Sequence, residues 1–234
     1  MPVVAVIPAR LGSARLPRKV LADIHGRPMI QWVWERAGMA RRVHRVIVAT
    51  DAPEVAAACR RFGAEVALTR PDHPSGSDRV AEVARGFAAG TLVINVQGDE
   101  PLIEPAALDA VVAAFDDPGV EMASAMAPLA DRERDDPHAV KVIVDPYGDA
   151  IDFHRVHLGP TSQRHLGLYA WRRERLLALT ALPPHPVELE RRLEQLRALR
   201  AGVRIRMVSV PRAAPGVDTL ADLERVRAMV RQRA

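Results

Sequence analysis

Near the start of the chain, Pro8-Ala9-Arg10-Leu11-Gly12-Ser13-Ala14-Arg15-Leu16-Pro17-Arg18-Lys19 sets three cations, Arg10, Arg15 and Lys19, around a glycine and a serine. Gly12 permits close backbone approach, and Ser13 adds a hydroxyl beside exposed amides. Such a loop suits a triphosphate: amides hold its oxygens while cations neutralise the charge that develops on a departing pyrophosphate. The spacing is neither GxGxxG nor GxxxxGK, which disfavours a dinucleotide fold and a P-loop NTPase. The bland alternative is a solvated, Arg-rich loop, but its place directly after an apolar strand argues against that.

A second chemical segment is Asn95-Val96-Gln97-Gly98-Asp99-Glu100-Pro101. An acid beside a glycine at the carboxyl end of a strand is well placed to give oxygen ligands to Mg²⁺. Asp99 comes first after Gly98, and Glu100 is the candidate cap of the next segment. A third acid, Asp218 in Pro215-Gly216-Val217-Asp218-Thr219, precedes the last helical stretch. Spacing alone favours an ordinary helix N-cap there; paired with Asp99, Asp218 would complete a two-carboxylate metal site.

The elements that must carry these residues alternate. Val3 to Pro8, Arg45 to Thr50, Ala64 to Leu68 and Leu92 to Val96 are apolar, β-branched runs, the mark of buried parallel strands. Between and after them, Pro28 to Ala40, Pro53 to Phe62, Ser77 to Ala89 (with Ser77 as cap) and Glu104 to Phe115 are predicted helices. Further strands are predicted over Glu121 to Pro128, Val140 to Asp145 and His165 to Trp171, and helices over Glu188 to Ala201 and Leu220 to Arg233. The pattern predicts a doubly wound α/β domain over residues 1–234, with a mostly parallel central sheet, helices on both faces and an acceptor-binding insertion in its later part.

Composition sets outer limits. The 234 residues are 48% hydrophobic and 26% charged, with only 4% aromatic, which describes a globular protein whose core is built of Val, Leu, Ile and Ala. One cysteine, Cys59, excludes an internal disulfide and fits a reducing compartment. No segment has the form of a signal peptide or reaches the roughly 20 apolar residues needed to span a bilayer. A cytoplasmic protein without membrane contact is therefore expected. Lys19 and Lys141 are the only lysines; the remaining cations are arginines interleaved with acids, with no aromatic-basic module for nucleic acid. No His/Cys group has zinc spacing.

Taken together, IPARLGSARLPRK, HGRPMI, IVATD, TRPDHPSGSDR, VQGDEP, RHLGLY, LEQLR and GVDTLADLERVR resemble the CMP-Kdo synthetases, the 3-deoxy-manno-octulosonate cytidylyltransferases. The match runs in order over almost the whole chain. It implies a Rossmann-like nucleotidyltransferase fold, usually dimeric, that transfers CMP from CTP to a small acidic acceptor and releases pyrophosphate. It implies that Arg10, Arg15 and Lys19 hold the triphosphate and that Asp99 and Asp218 bind Mg²⁺. Ala9, Arg10, Gly12, Ser13, Lys19 and Gln97, with Arg70, Ser75 and Gly76 from the stretch Arg70 to Arg79, are expected around the nucleotide. Gln97, Arg155, His165, Tyr169, Glu194 and Gln195 are expected around the acceptor.

The resemblance weakens between Asp152 and Gly167, where the chain is short and His154-Arg155-Val156-His157-Leu158-Gly159-Pro160 replaces the usual segment. The basic residues concentrated there, His154, Arg155, His157 and Arg164, favour an anionic acceptor. A smaller pocket would suit a compact acceptor such as phosphonoformate; the other expectation is a tolerated loop deletion with the sugar acid retained. A nucleotide-binding regulator without turnover is the reading from a different class. The presence of Arg10, Lys19, Asp99 and Asp218 speaks against it.

Overall fold

A computed structural model describes residues 1–13 and 15–231. In chain order its strands and helices are β1 (Val3–Pro8), the short hairpin β2 (Asp23–Ile24) and β3 (Arg27–Pro28), α1 (Met29–Gly38), β4 (Arg45–Thr50), α2 (Pro53–Arg61), β5 (Glu65–Leu68), α3 (Gly76–Ala84), β6 (Leu92–Asn95) and α4 (Pro105–Ala113). The second half adds β7 (Met122–Ala127), β8 (Lys141–Val144), β9 (Ala150–His154), β10 (Gln163–Arg172), α5 (Arg173–Thr180), α6 (Pro186–Arg191), α7 (Gln195–Arg200), β11 (Ile205–Ser209) and α8 (Leu220–Arg231).

The main path of the nine-stranded sheet runs β11-β7-β10-β6-β1-β4-β5. Six of these seven strands point the same way and β10 alone runs against them. Alternation along β1 divides the core. Val3, Ala5 and Ile7 pack on one face with α1, α2 and α4, while Val4 and Val6 pack on the other with α3, α5 and α7. A third cluster joins α8 to the β2–β3 hairpin through Ile24, Met29, Val217, Leu223 and Val226.

β10 belongs to two arrangements at once. Its end, Tyr169 to Arg172, pairs with β6, while Gln163 and Arg164 pair with β8, which carries β9 as a hairpin. Its register against β7 shifts between Leu166 and Tyr169. The His165 amide still bonds to Val140 at 2.9 Å, and between that bond and the pairing of Tyr169 with Asn95 lie Leu166, Gly167 and Leu168.

Several expected boundaries are corrected. The helix expected from Ser77 begins at Gly76 and ends at Ala84, and its cap is Ser75, whose hydroxyl accepts from the Asp78 amide at 3.2 Å. The single helix expected over Glu188 to Ala201 is broken into α6 and α7, because Arg192 adopts a left-handed φ of 54° between them. Strands β9 and β11 were not expected: β11 alternates buried and open positions and β9 buries only Ala150 and Phe153, so neither shows a continuous apolar run. Ala14 and the end of the expected last helix, at residues 232 and 233, lie outside the described residues.

Candidate active site

The carboxyl ends of β1 and β6 lie side by side, and the segments leaving them form one cleft of about 420 Å³. Gly98 makes this possible: a Cβ there would sit 2.9 Å from the Pro8 carbonyl oxygen, so only glycine lets the two turns pass. Arg10, Gly12, Ser13, Arg15 and Lys19 line the cleft on one side and Gln97, Gly98 and Asp99 on another; Asp218 closes it from the last helix. Ser75 and Gly76, at the start of α3, form the wall opposite.

The centre of this cleft is a charge cluster drawn from three distant parts of the chain. Lys19 Nζ donates to Asp99 Oδ2 at 2.6 Å and to Asp218 Oδ1 at 3.0 Å. Burial pulls the Lys19 ammonium down, yet Asp99 and then Asp218 more than offset this and leave it above its ordinary value. Arg15 lies 3.0 Å from the same Asp218 oxygen and donates to His138 Nδ1. Asp218 is not the cap of α8. Thr219 holds that place, its hydroxyl accepting from the Asp222 amide while Asp222 accepts from the Thr219 amide. With capping delegated to its neighbour, the Asp218 carboxylate accepts from Lys19 and pairs with Arg15 instead.

Two hard oxygen donors that converge on one cation position fit Mg²⁺, which takes one or two carboxylates and completes its shell with substrate phosphates and water. Among the described residues no group of three or more His, Cys, Asp or Glu side chains gathers where it could hold a metal ion.

A second cavity, about 660 Å³, adjoins the first and shares Arg10, Pro74, Ser75 and Gln97 with it. His165, Gly167, Tyr169, Glu194 and Gln195 line it. His165 and Tyr169 of β10 line it from within a row of rings, Phe153 of β9 and then His165, Tyr169 and Trp171 of β10, at centroid spacings of 4.9, 5.5 and 5.6 Å. Tyr169 Oη donates to Gln195 Oε1 at 3.1 Å. Burial, followed by the nearby acids Glu194 and Glu100, pushes the Tyr169 phenol well up. His165 is neutral: burial and then Arg164 pull it down to about 3, and its Nε2 lies 2.9 Å from Ser124 Oγ. Burial raises Glu194 against the opposing hydrogen bonds of Ser75 and Ser77. Gly167 leaves room for Gln97, whose Cγ would be 3.1 Å from a Cβ there.

Three expected residues are not brought into these cavities. Ala9 is buried, its amide bonded to Ala49 at 2.8 Å in continuation of the β1–β4 ladder. Arg70 is exposed and turned to Asp72 at 3.2 Å. Arg155 donates to the backbone carbonyls of Arg191, Pro137 and Arg192 at 3.0–3.1 Å, so it pins the α6–α7 break to the loop before β8. Conversely, His73 and Arg79 line the nucleotide-side cleft and were missed as site residues. His73 reads as a loop residue, yet its side chain is 7% exposed and bonded to Glu82. Arg79 follows Ser75 by one helical turn, the signal that could have placed it, and is held by Asp51 and Thr69. Cys59 is buried in the core, its thiol raised to about 11 by burial, in keeping with a structural role.

The doubly wound sheet with a basic loop after its first strand and an acid after its fourth parallel strand defines a Rossmann-like nucleotidyltransferase fold. Its sequence matches the profile of the cytidylyltransferase family over residues 4–205, and the chain belongs to that family. Closely similar proteins include the 3-deoxy-manno-octulosonate cytidylyltransferases of Chlorobaculum parvum, 44% identical with 100% of this chain and 99% of the relative covered, and of Solibacter usitatus, 47% identical with 96% and 92% covered. A solved CMP:2-keto-3-deoxy-manno-octonic acid synthetase complexed with CTP superposes with a TM-score of 0.95 at 42% identity, each chain fully covered. A 4-diphosphocytidyl-2C-methyl-D-erythritol synthase from Anaerococcus prevotii shares the fold alone, with a TM-score of 0.68 at 12% identity. Nothing among these relatives supports the phosphonate acceptor or the regulator without turnover. The acceptor-side cavity, larger than the nucleotide-side cleft, is also not the compact pocket that the short segment after β9 suggested.

Proposed function

We propose that this cytidylyltransferase activates 3-deoxy-manno-octulosonate: CTP and the sugar acid give the CMP-sugar and pyrophosphate. The observation that carries the reading is the convergence of Asp99 and Asp218 on one point beside the basic loop. The acceptor follows from relatives at 44–47% identity that carry this activity in their names.

The hydroxyl on the former keto carbon of the acceptor attacks the α-phosphorus of CTP. The new O–P bond forms as the bond from that phosphorus to the β-phosphate bridge breaks, pyrophosphate takes the electron pair, and the hydroxyl proton passes to solvent. Arg10, Arg15 and Lys19 hold the triphosphate and neutralise the leaving charge, while Ser75, Gly76 and Arg79 form the wall on which base and ribose rest. Gln97, at the boundary of the two cavities, with His165, Tyr169, Glu194 and Gln195, orients the acceptor. Asp99 and Asp218 would hold Mg²⁺, which supplies charge neutralisation at the phosphates and a more acidic attacking hydroxyl. No covalent enzyme nucleophile is needed.

Pyrophosphate release is the test. It should require CTP, Mg²⁺ and the sugar acid together, and fall by at least about a hundredfold in Asp99→Asn. No release with the sugar acid would overturn the acceptor assignment. Among the described residues no helix is long and apolar enough to cross a membrane, and a cytoplasmic site of action accords with the buried thiol. A homodimer would cover the exposed Ile151, Val156 and Leu158 of β9 and the segment after it; sedimentation equilibrium distinguishes it from a monomer.

A further inference from the structure

A 2-keto-3-deoxy sugar acid carries its carboxylate on the carbon adjacent to the attacking hydroxyl. Resting on the acceptor reading above, this places a negative charge within a few ångströms of the reacting phosphorus, beside the Asp99–Asp218 pair. A Mg²⁺ on the two carboxylates would offset part of that repulsion, and a cationic side chain facing the acceptor carboxylate would offset more. Arg155, the expected partner, has its guanidinium committed to three backbone carbonyls.

The geometry points to Arg164 as the residue that recognises the acceptor carboxylate. Arg164 lines the acceptor-side cavity and also a smaller one of about 120 Å³, which is bounded by Asp99, Glu100 and Asp218. Of the arginines on the acceptor side, Arg10, Arg164 and Arg192, it alone borders that smaller space among the described residues. Its side chain is 24% exposed; its buried Nε makes no hydrogen bond among the described residues and is loosely ion-paired with Glu133 Oε1 at 3.6 Å, while the buried Glu100 faces the same guanidinium. One guanidinium nitrogen donates weakly to the Val140 carbonyl at 3.3 Å. A buried, unsatisfied donor on a planar fork is what a carboxylate completes in bidentate fashion. His165 lines both spaces too, but it is neutral at working pH because burial and Arg164 depress it, so it offers a hydrogen bond rather than charge.

The strand explains why Arg164 is so placed. Arg164 pairs with Lys141 of β8 immediately before the β10 register shift, so the backbone that aims it is fixed by the hairpin, not by the short segment after β9. Shortening that segment therefore leaves the carboxylate site intact.

The test compares the sugar acid with its C1 amide, same shape without the charge, as acceptors for wild type, Arg164→Met and Arg155→Met. Wild type should prefer the acid, in kcat/KM, by about 10- to 100-fold, as one charged bidentate contact warrants. Arg164→Met should bring that preference close to one, mainly through the acceptor KM, with CTP affinity unchanged; Arg155→Met should keep it. Undiminished preference in Arg164→Met, or its loss in Arg155→Met alone, would overturn the assignment. If Arg164→Met fails to bind CTP, Arg164→Lys replaces it: a point charge without the fork should lose part of the preference, and full retention again overturns the role. Wild type that releases no pyrophosphate with the acid would instead sink the acceptor reading itself.

Discussion

Lys19 shows at the scale of one residue how the site is balanced before substrate arrives. Its ammonium lies between two carboxylates that would otherwise face each other, and it is 12% exposed. Lys19→Met should destabilise the ligand-free protein by on the order of 1 kcal/mol, less than a buried pair would cost because both acids are partly hydrated. Mg²⁺ should restore much of that loss in a thermal melt. Tighter Mn²⁺ binding by the variant without nucleotide, read by electron paramagnetic resonance, would accompany it, whereas turnover should fall by about a hundredfold for want of a phosphate cation. Unchanged metal affinity would show that the lysine does not compete for that position. The basic loop and Asp99 were legible in the sequence because both follow apolar strands directly. Asp218 was legible only through family resemblance, since what separates it from a helix cap is Thr219 taking that task, and adjacent candidates for a cap look alike in a string of letters.

Among the elements, the turn after β6 bears the most constraint. Gly98→Ala would drive a Cβ into the Pro8 carbonyl oxygen, a backbone atom that cannot swing aside. The expected cost is about 1–3 kcal/mol of stability, by denaturant titration, together with a loss of activity as Asp99 is displaced. A variant of wild-type stability and activity would mean that the two turns part readily. The parallel strands β1, β4 and β6 were read correctly because they are continuous apolar runs; β11, also parallel, was not. The acceptor half resisted reading for a physical reason: β11 buries alternate residues, β9 buries only Ala150 and Phe153, and the break between α6 and α7 begins at one left-handed residue that nothing in an Arg-Arg pair announces. Arg155 misled for the same reason, because a long cation near a pocket is equally suited to pinning carbonyls. Only the fold shows which it does.

For the molecule as a whole, buried ionisable groups set the acid limit of stability. His165 titrates at about 3 in the fold against 6.5 in the unfolded chain. Between those values the unfolded state binds the extra proton, so this residue makes stability fall as pH drops, by at most roughly 1.4 kcal/mol per pH unit. Glu100 acts in the opposite sense. Burial, then Asp99, raise it to about 7 from 4.5, so its contribution falls as pH rises through that window. The two offset each other between 4.5 and 6.5; below 4.5 the histidine acts unopposed by Glu100 and in the same sense as carboxylates held low by their partners, such as Asp152 and Asp222. His165→Gln should therefore flatten the stability–pH curve most below pH 4.5, by denaturant midpoints across pH 3–7. A curve parallel to wild type would show that His165 is not buried neutral.

The partnership between Lys19 and Asp218 spans 199 positions of sequence. On the ribosome the basic loop and Asp99 emerge long before Asp218, and α8 must dock on the β2–β3 hairpin before that last carboxylate takes its place. A nascent chain can thus bring the basic loop and Asp99 together while Lys19 still lacks its second carboxylate partner, Asp218.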